Sequence, residues 1–525
     1  MENLYVFAIG GSGERVVKSL VMMLAAGMHT GARKIIPVFI DNDEESKAYT
    51  KCCDLIKYYN ADPREGLKVG ANTLYKKFEQ DPTKWGSFFH TEIAEPIILN
   101  QTGEAIGNLS NVIGYKEGET KFHKAIKEEM NLIFSDNDLE MPLNVGFVGN
   151  PNIGSIVLNS LSLQDDRFTE IKKCITSNDG VIAVGSLFGG TGAAGLPLII
   201  NTMKNLGDGR QPIIGGVAVL PYFSTKGTKD DGVVLDIKKW DVSSEAFNTK
   251  TRAALMYYDE HMKLGYDYLY YVGDSEYADI YTHCRGGAKQ DNPYHIIEVM
   301  SALSIIDFSK NNKSNSIVYK RPIFGFNQQD GTIQSNISGA TNSDFAKSIV
   351  KFKIMKKMFE GERANDFMLK WAIETKQPYV ENIVFNETCR QSVIGKSESY
   401  SPAWGVCKLM QEFDTWMNDL AKAKRPFNLF NDNIKDIDGD NITSKFYSNS
   451  KFGIANEVST GGFLWFNQHL APAKANIANE MQNAFKRLYA NCNANNVAHS
   501  STLPMLFRII SEALDEVLIK NCITL

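Results

Sequence analysis

Short apolar runs alternate with longer stretches of helical periodicity through the first half of the chain. Leu4-Tyr5-Val6-Phe7-Ala8-Ile9 precedes Gly10-Gly11-Ser12-Gly13 and then an amphipathic stretch over 14–24, which reads as buried strand, glycine turn and helix. Residues 35–40 form a second buried strand that ends in the polar group Asp41-Asn42-Asp43. The apolar run Val181-Ile182-Ala183-Val184 leads into GSLFGGTGAAGLP at 185–197 and on into the helix-compatible LIINTMKNLG, so the strand, glycine turn and helix order occurs twice.

This alternation continues to about residue 275 and predicts an α/β fold with a doubly wound parallel sheet. Residues 142–180 add a strand, loop and helix, with Gly149-Asn150-Pro151-Asn152 as a turn. The strand at 268–272 closes with Gly273-Asp274. Residues 292–308 read as a buried helix capped by Asn292, with Pro293 in its first turn and His295 as a core histidine. Residues 310–340 are polar and turn-rich around one hairpin at 317–326. Beyond 345 the pattern is helical over 347–359, 404–423, 471–489 and 503–519. Asp436-Ile437-Asp438-Gly439-Asp440 lacks the register and closing Glu of a calcium loop and reads as a turn. The resulting organisation is a domain over 1–290, a connecting helix at 291–309, a second domain over 310–425 and a helical region over 426–525.

At 525 residues with 43% hydrophobic content the chain can build two or three cores. A formal charge of −5 leaves no electrostatic footprint for nucleic acid or an anionic membrane surface. Glu2 ahead of a short apolar run that ends in glycines is unlike a secretory signal, and no apolar stretch is long enough to span a bilayer. The eight cysteines are scattered without C-x-x-C spacing, so reduced structural thiols and a cytoplasmic location are expected, the adjacent Cys52-Cys53 included.

The glycine turns carry the candidate chemistry. Gly189, Gly190 and Gly192 let backbone amides approach an anion, Thr191 adds a hydroxyl, and the helix that follows points its positive end at the same place. Pro197 is expected early in that helix, where its missing N–H costs little. The Walker pattern G-x-x-x-x-G-K-[ST] does not occur.

FGGTGAAGLPLII at 188–200 resembles, without a gap, the signature loop GGGTGTGAAPVIA of the tubulin/FtsZ superfamily, with Phe188 in place of the first glycine and Ala194 in place of the last. AIGGSGERVV is similar to the first nucleotide loop of FtsZ, VFIDND takes the place of IAINTD, and IIGGVAVLPYF at 213–223 is similar to VGVVTKPF. NQTGEAIGN at 100–108 is similar to the tubulin loop GQTGAGNN with one extra residue, and FNTKTR at 247–252 lies where FtsZ has E-G-x-x-R.

The resemblance covers about 1–310 and implies GTP or GDP with Mg²⁺. By it, Gly10, Gly11, Ser12, Gly13, Asp41, Asn42, Gly103, Gly107, Asn108, Gly189, Gly190, Thr191, Gly192 and Ala193 belong to the nucleotide site. Asn248 and Arg252 inherit the ribose side, with a solvated helix face as the equal alternative, and Asn292 is either a base contact or a plain helix cap. NSDFAKSIV at 342–350 is similar to the catalytic loop NVDFADV, which makes Asp344 the matching acid by local pattern though not by its distance from the connecting helix, with a helix N-terminal residue as the alternative. Asp307, at the end of the connecting helix, is its positional rival.

Three functions follow as expectations. The first is a GTPase that assembles head to tail into filaments, each active site completed by the next subunit. The second is a nucleotide-dependent sensor or assembly module with the same fold and no dynamic polymer, kept open by the divergent second half. The third is a Rossmann dinucleotide enzyme, disfavoured by the absence of a glycine at position 16 and by the second turn near 190. The apolar end ALDEVLIKNCITL offers a docking segment for a partner or for the chain's own body.

Overall fold

The computed structural model describes residues 1–43, 46–60, 91–99, 107–113, 121–143, 146–147, 149–228, 246–261, 265–274, 279–283, 292–322, 324–326, 333–335, 348, 352 and 404–423. Gly103, Asp344, the 436–440 turn and the whole of 426–525 lie outside them, as do most of the 347–359 helix and the apolar end.

In chain order the elements begin with β1 (Asn3–Ile9), α1 (Gly10–Ala25), β2 (Lys34–Ile40), α2 (Lys47–Tyr59), β3 (Glu92–Ile93) and β4 (Ile97–Leu99). There follow α3 (Leu109–Val112), α4 (Lys121–Ile133), α5 (Asp136–Leu139), α6 (Pro151–Gln164), α7 (Asp166–Cys174), β5 (Gly180–Ser186) and α8 (Gly190–Lys204). The remainder are β6 (Ile213–Val219), β7 (Phe223–Thr228), α9 (Phe247–His261), β8 (Tyr268–Val272), β9 (Asp279–His283), α10 (Ile296–Ser309), β10 (Val318–Lys320), β11 (Phe324–Phe326), β12 (Ile333–Ser335) and α11 (Trp404–Lys422).

The main sheet runs β10-β8-β6-β5-β1-β2-β3, with β4 also on β2, and every pairing in it is parallel. Lys34 and Ile35 pair with β3, whereas Val38 to Ile40 pair with β4, so β3 and β4 make one edge interrupted at Ala94-Glu95-Pro96. Pro96 cannot donate to a ladder, which accounts for the break. Parallel strands are covered on both faces, and β1 and β5 are accordingly apolar and buried along most of their length.

Side-chain alternation divides the core between the two faces. Tyr5, Phe7, Ile9, Val181, Ala183, Ile214 and Ala218 join one cluster with α6, α7, α8 and Tyr258 of α9. On the other face lie α1 and α10. Gly215 and Gly216 in β6 mark the division, because a Cβ on Gly215 would lie 2.6 Å from the Phe308 ring of α10 and one on Gly216 2.7 Å from the Tyr266 ring. Each glycine admits a ring to its own face.

Several expectations change in three dimensions. The hairpin is β11 with β12, while β10 joins the main sheet beside β8. Arg321-Pro322 separates β10 from β11, and a proline there supplies no ladder donor. No strand occurs among the described residues of 142–150. Pro142 makes only an isolated bridge to Asn108, and Leu143 and Phe147 are core residues. α10 starts at Ile296 with His295 as its cap, in a reciprocal capping box with Glu298, so Asn292 is not the cap. Pro197 stands two turns into α8 instead of at its start. Among the described residues no helix is long and apolar enough to cross a membrane.

Candidate functional site

β1 and β5 are neighbours in the sheet, yet the chain leaves β1 toward β2 and leaves β5 toward β6. Such a reversal opens a crevice at the carboxyl ends of the two strands, the place where open α/β sheets hold ligands. Both glycine turns are there. α1 starts directly after Ile9, and α8 starts after Leu187-Phe188-Gly189.

Gly10 has φ +70°, a conformation that favours glycine, and a Cβ on it would stand 3.2 Å from the Thr191 Cβ and 3.5 Å from the Gly192 nitrogen. The two turns therefore touch. The other glycines divide by what a side chain would meet. At Gly192 it would meet the Ser186 nitrogen at 2.6 Å, at Gly13 the Val184 oxygen at 2.8 Å, and at Gly190 the Phe147 Cβ at 2.9 Å. These three hold helix, sheet and loop in close approach. A Cβ added at Gly11 would meet nothing within 4 Å, so that side of the turn faces open space.

Helix capping sets these two helices apart. Ser46, Asn108, Ser135, Asp165 and His295 cap α2, α3, α5, α7 and α10 with side-chain bonds, and Asn150 accepts from Asn152 and Ile153 at the start of α6. The cap positions of α1 and α8 are Ile9 and Gly189, and neither makes a side-chain cap. At the start of α1 the Gly11 N–H is taken instead by the Asp41 carboxyl of the β2 end, and at both N-termini the helix dipole favours an anion.

The polar end of β2 forms the second wall. The half-buried Asp41 carboxyl has a pKa pushed up to about 7, first by burial and then by Asp43, against the lowering effect of backbone N–H groups of Asp43, Asn42 and Gly11. The bond with Gly11 brings a carboxylate to the first turn of α1. Burial, followed by Asp41, also raises the pKa of Glu14, which accepts a hydrogen bond from Ser46. Asn42 is 3% exposed and its Nδ2 has no hydrogen-bond partner. A buried amide of this kind calls for an acceptor.

Gly146, Phe147, Gly149 and Asn150 form a third wall that turn chemistry at 149–152 did not reveal. Gly146 has φ +84°, and a Cβ there would lie 3.6 Å from Asp41 Oδ1 and 3.7 Å from Thr191 Oγ1. Gly190 packs on Phe147 and Asn150. From α9, Lys250 Nζ donates to the Gly149 carbonyl at 2.7 Å, and burial lowers its pKa. Phe188 stacks obliquely on Phe247 at 4.8 Å, which seats the start of α9 against the α8 turn. Asn248 and Arg252 occupy an exposed face of α9 while Lys250 turns toward the loop.

The remaining candidates are distributed differently. The Gly107 carbonyl accepts from Leu143, and Asn108 donates to Glu140, so both are anchored on 140–143. The Asn292 and Pro293 carbonyls accept from Arg15, whose guanidinium is paired with Glu298 in a buried ion pair. Burial alone would lower the Arg15 pKa, and the Glu298 carboxylate more than reverses it. His295 Nδ1 accepts from Ile297, so the Nε2–H faces Asp279 at 3.1 Å, and burial lowers the pKa of the ring. It is the satisfied core histidine expected from the apolar pattern.

Asp307 sits at the other end of α10, about 13 Å of helix beyond Glu298. It is fully buried and accepts from Tyr270, Lys320 and Asn311. Ser309, two residues on, bonds Gly31 just ahead of β2, which places Asp307 at the amino edge of the sheet, opposite the glycine turns. The structure does not bring Asp307 to the crevice. Among the described residues no group of three or more His, Cys, Asp or Glu side chains is placed to hold a metal.

In comparisons with known proteins, neither a protein-family model nor a curated protein matches this chain.

Proposed function

We propose that this chain is a tubulin/FtsZ-type nucleotide-binding protein that takes GTP or GDP in the crevice between its two glycine turns. The observation that carries this reading is the pair of helix N-termini, α1 and α8, whose own cap residues supply no side-chain acceptor, in contact at the switch point of a parallel sheet. The amides of 10–13 and 189–193 would take phosphate oxygens, Thr191 would add a hydroxyl, and the orphaned Asn42 amide supplies a donor at the same mouth. Mg²⁺ bound with the phosphates would offset their charge beside Asp41 and Asp43.

Hydrolysis by an assembled filament requires an acid carried to the crevice by the next subunit. Asp307 is on the correct, opposite edge of the sheet for a head-to-tail contact, but burial and three donors hold it in place. Asp344 is the acid we assign to orienting the attacking water. The locked state of Asp307 also supports a second reading, a nucleotide-dependent sensor that does not polymerise.

Mass spectrometry of nucleotide released from the purified chain, followed by calorimetry with GTP, ATP and NAD, tests the site. Retention of a guanine nucleotide is expected. Binding of NAD with neither triphosphate would replace this reading by a dinucleotide enzyme. Turnover per molecule that rises with protein concentration, with filaments in electron micrographs, would favour the polymer, and concentration-independent turnover the sensor.

A further inference from the structure

We propose that His295 is a proton-operated latch: protonation of its ring uncaps α10 and slackens the clasp that this helix holds on α1. Each ring nitrogen is committed to one role. Nδ1 accepts from the Ile297 N–H at 3.2 Å in the first turn of α10, and Nε2 donates to Asp279 Oδ2 of β9 at 3.1 Å. Only one neutral tautomer satisfies both.

A further proton would go to Nδ1 and point at the Ile297 N–H. Two donors would then face each other, and the cap would be lost. The ring is 1% exposed, so water has little access to the N–H left behind. The hydroxyl, amide and carboxylate caps of α2, α3, α5 and α7 behave differently, because they keep an acceptor oxygen between about pH 5 and 8.

Among the described residues, the titratable groups around the ring and its partners are Asp279 and Tyr281 of β9, Glu298 of α10, Arg15 of α1 and Tyr222 ahead of β7. Further out, Asp419 of α11 accepts from the Tyr294 N–H, and Lys18 of α1 lies over the Tyr294 ring. Burial, the largest influence, and Arg15 disfavour the proton, Glu298 and Asp279 favour it, and the net effect lowers the pKa of the ring. The neutral form prevails at pH 7, and acid opens the latch.

Glu298 joins the cap to the glycine turn. Its Oε2 accepts from the His295 N–H at 3.2 Å, while Oε1 accepts from Arg15 and from the Tyr222 hydroxyl. Arg15 stands two residues past Gly13 and also donates to the Asn292 and Pro293 carbonyls, so a frayed first turn of α10 slackens its hold on α1.

The test is a nuclear magnetic resonance titration of the full chain, nitrogen-15-labelled at histidine, from about pH 7.5 to about pH 4.5 without nucleotide. The signal missing from His295→Asn belongs to His295. Nδ1 should be unprotonated at the start, with a midpoint below the ordinary value of 6.5. Amide exchange over 295–300, corrected for its intrinsic pH dependence, should lose about tenfold in protection across that midpoint. His295→Asn keeps a capping oxygen that does not titrate and should show no such loss. Asp279→Asn keeps an acceptor for Nε2–H but removes the charge that favours the proton, so the midpoint should move to lower pH. A midpoint at or above 6.5, a ring still neutral at the acid end, protection unchanged across the midpoint, an equal loss in His295→Asn, or an unmoved midpoint in Asp279→Asn would each overturn the proposal.

Discussion

The Tyr258 hydroxyl donates to the Ala193 carbonyl across 3.2 Å, and that carbonyl is the one to which Pro197 offers no helical N–H. A proline deep in a helix would leave a buried acceptor orphaned, and a side chain from α9 serves it instead. Tyr258→Phe should therefore cost about 1–2 kcal/mol in urea unfolding. In a Pro197→Ala background, where the replaced residue regains a backbone N–H that can serve the Ala193 carbonyl, the same change should cost measurably less. Equal costs in both backgrounds would show that the two residues are not coupled.

Gly11 and Gly192 separate folding from binding. A Cβ at Gly192 would meet the Ser186 backbone, so Gly192→Ala should destabilise the chain by about 1–3 kcal/mol whether or not nucleotide is present. Gly11 faces open space, and Gly11→Val should leave the melting temperature nearly unchanged while weakening GTP binding by about tenfold or more, 1.4 kcal/mol. Wild-type GTP affinity in folded Gly11→Val would remove the α1 turn from the site.

Asp41 makes anion binding pH-dependent. Its pKa of about 7 means that the carboxyl is neutral below that pH and negative above it, beside amides proposed to hold phosphates. GTP affinity should fall as pH rises from 6 to 8, and Asp41→Asn should flatten that profile and bind more tightly at pH 8. The same shift acts on folding. A carboxyl raised from its ordinary value of about 4 to about 7 lowers stability as pH climbs through that window, because the folded state holds the proton longer. Calorimetric unfolding across pH 4 to 8 should show Asp41→Asn losing less stability than the wild type.

Asp307 and Asp344 should differ in kind. Asp307→Asn strips a negative acceptor from Tyr270, Lys320 and Asn311, and should cost about 2–3 kcal/mol of stability with turnover per folded molecule unchanged. Asp344→Ala should slow GTP hydrolysis with binding and stability retained. A loss of turnover in folded Asp307→Asn alone would transfer the catalytic role to Asp307.

The parallel sheet and its glycine turns are legible in the sequence because they rest on local signals. Runs such as Tyr5 to Ile9 and Val181 to Val184 are too apolar to face water, and glycines can break them only into tight turns. The helix at Trp404–Lys422 is legible for the same reason, through apolar residues at helical spacing. Elements whose identity depends on distant partners are not. β10 is an edge strand because Tyr268 to Tyr270 of β8 presents it with a parallel partner, and no feature of 317–326 encodes that.

The sequence by itself determined that two glycine turns follow buried strands, since conformational freedom and hydrophobic pattern are local properties of the chain. Only the tertiary structure decided what each polar group is for. Asp307 is locked because Lys320 and Tyr270 arrive from two strands, and Asn42 is left with an orphaned amide because no side chain among the described residues arrives. Gly192 serves packing whereas Gly11 faces open space, although both stand in glycine-rich turns. Burial and hydrogen-bond partnership are set by long-range packing, which brings residues hundreds of positions apart, such as Arg15 and Glu298, within bonding distance.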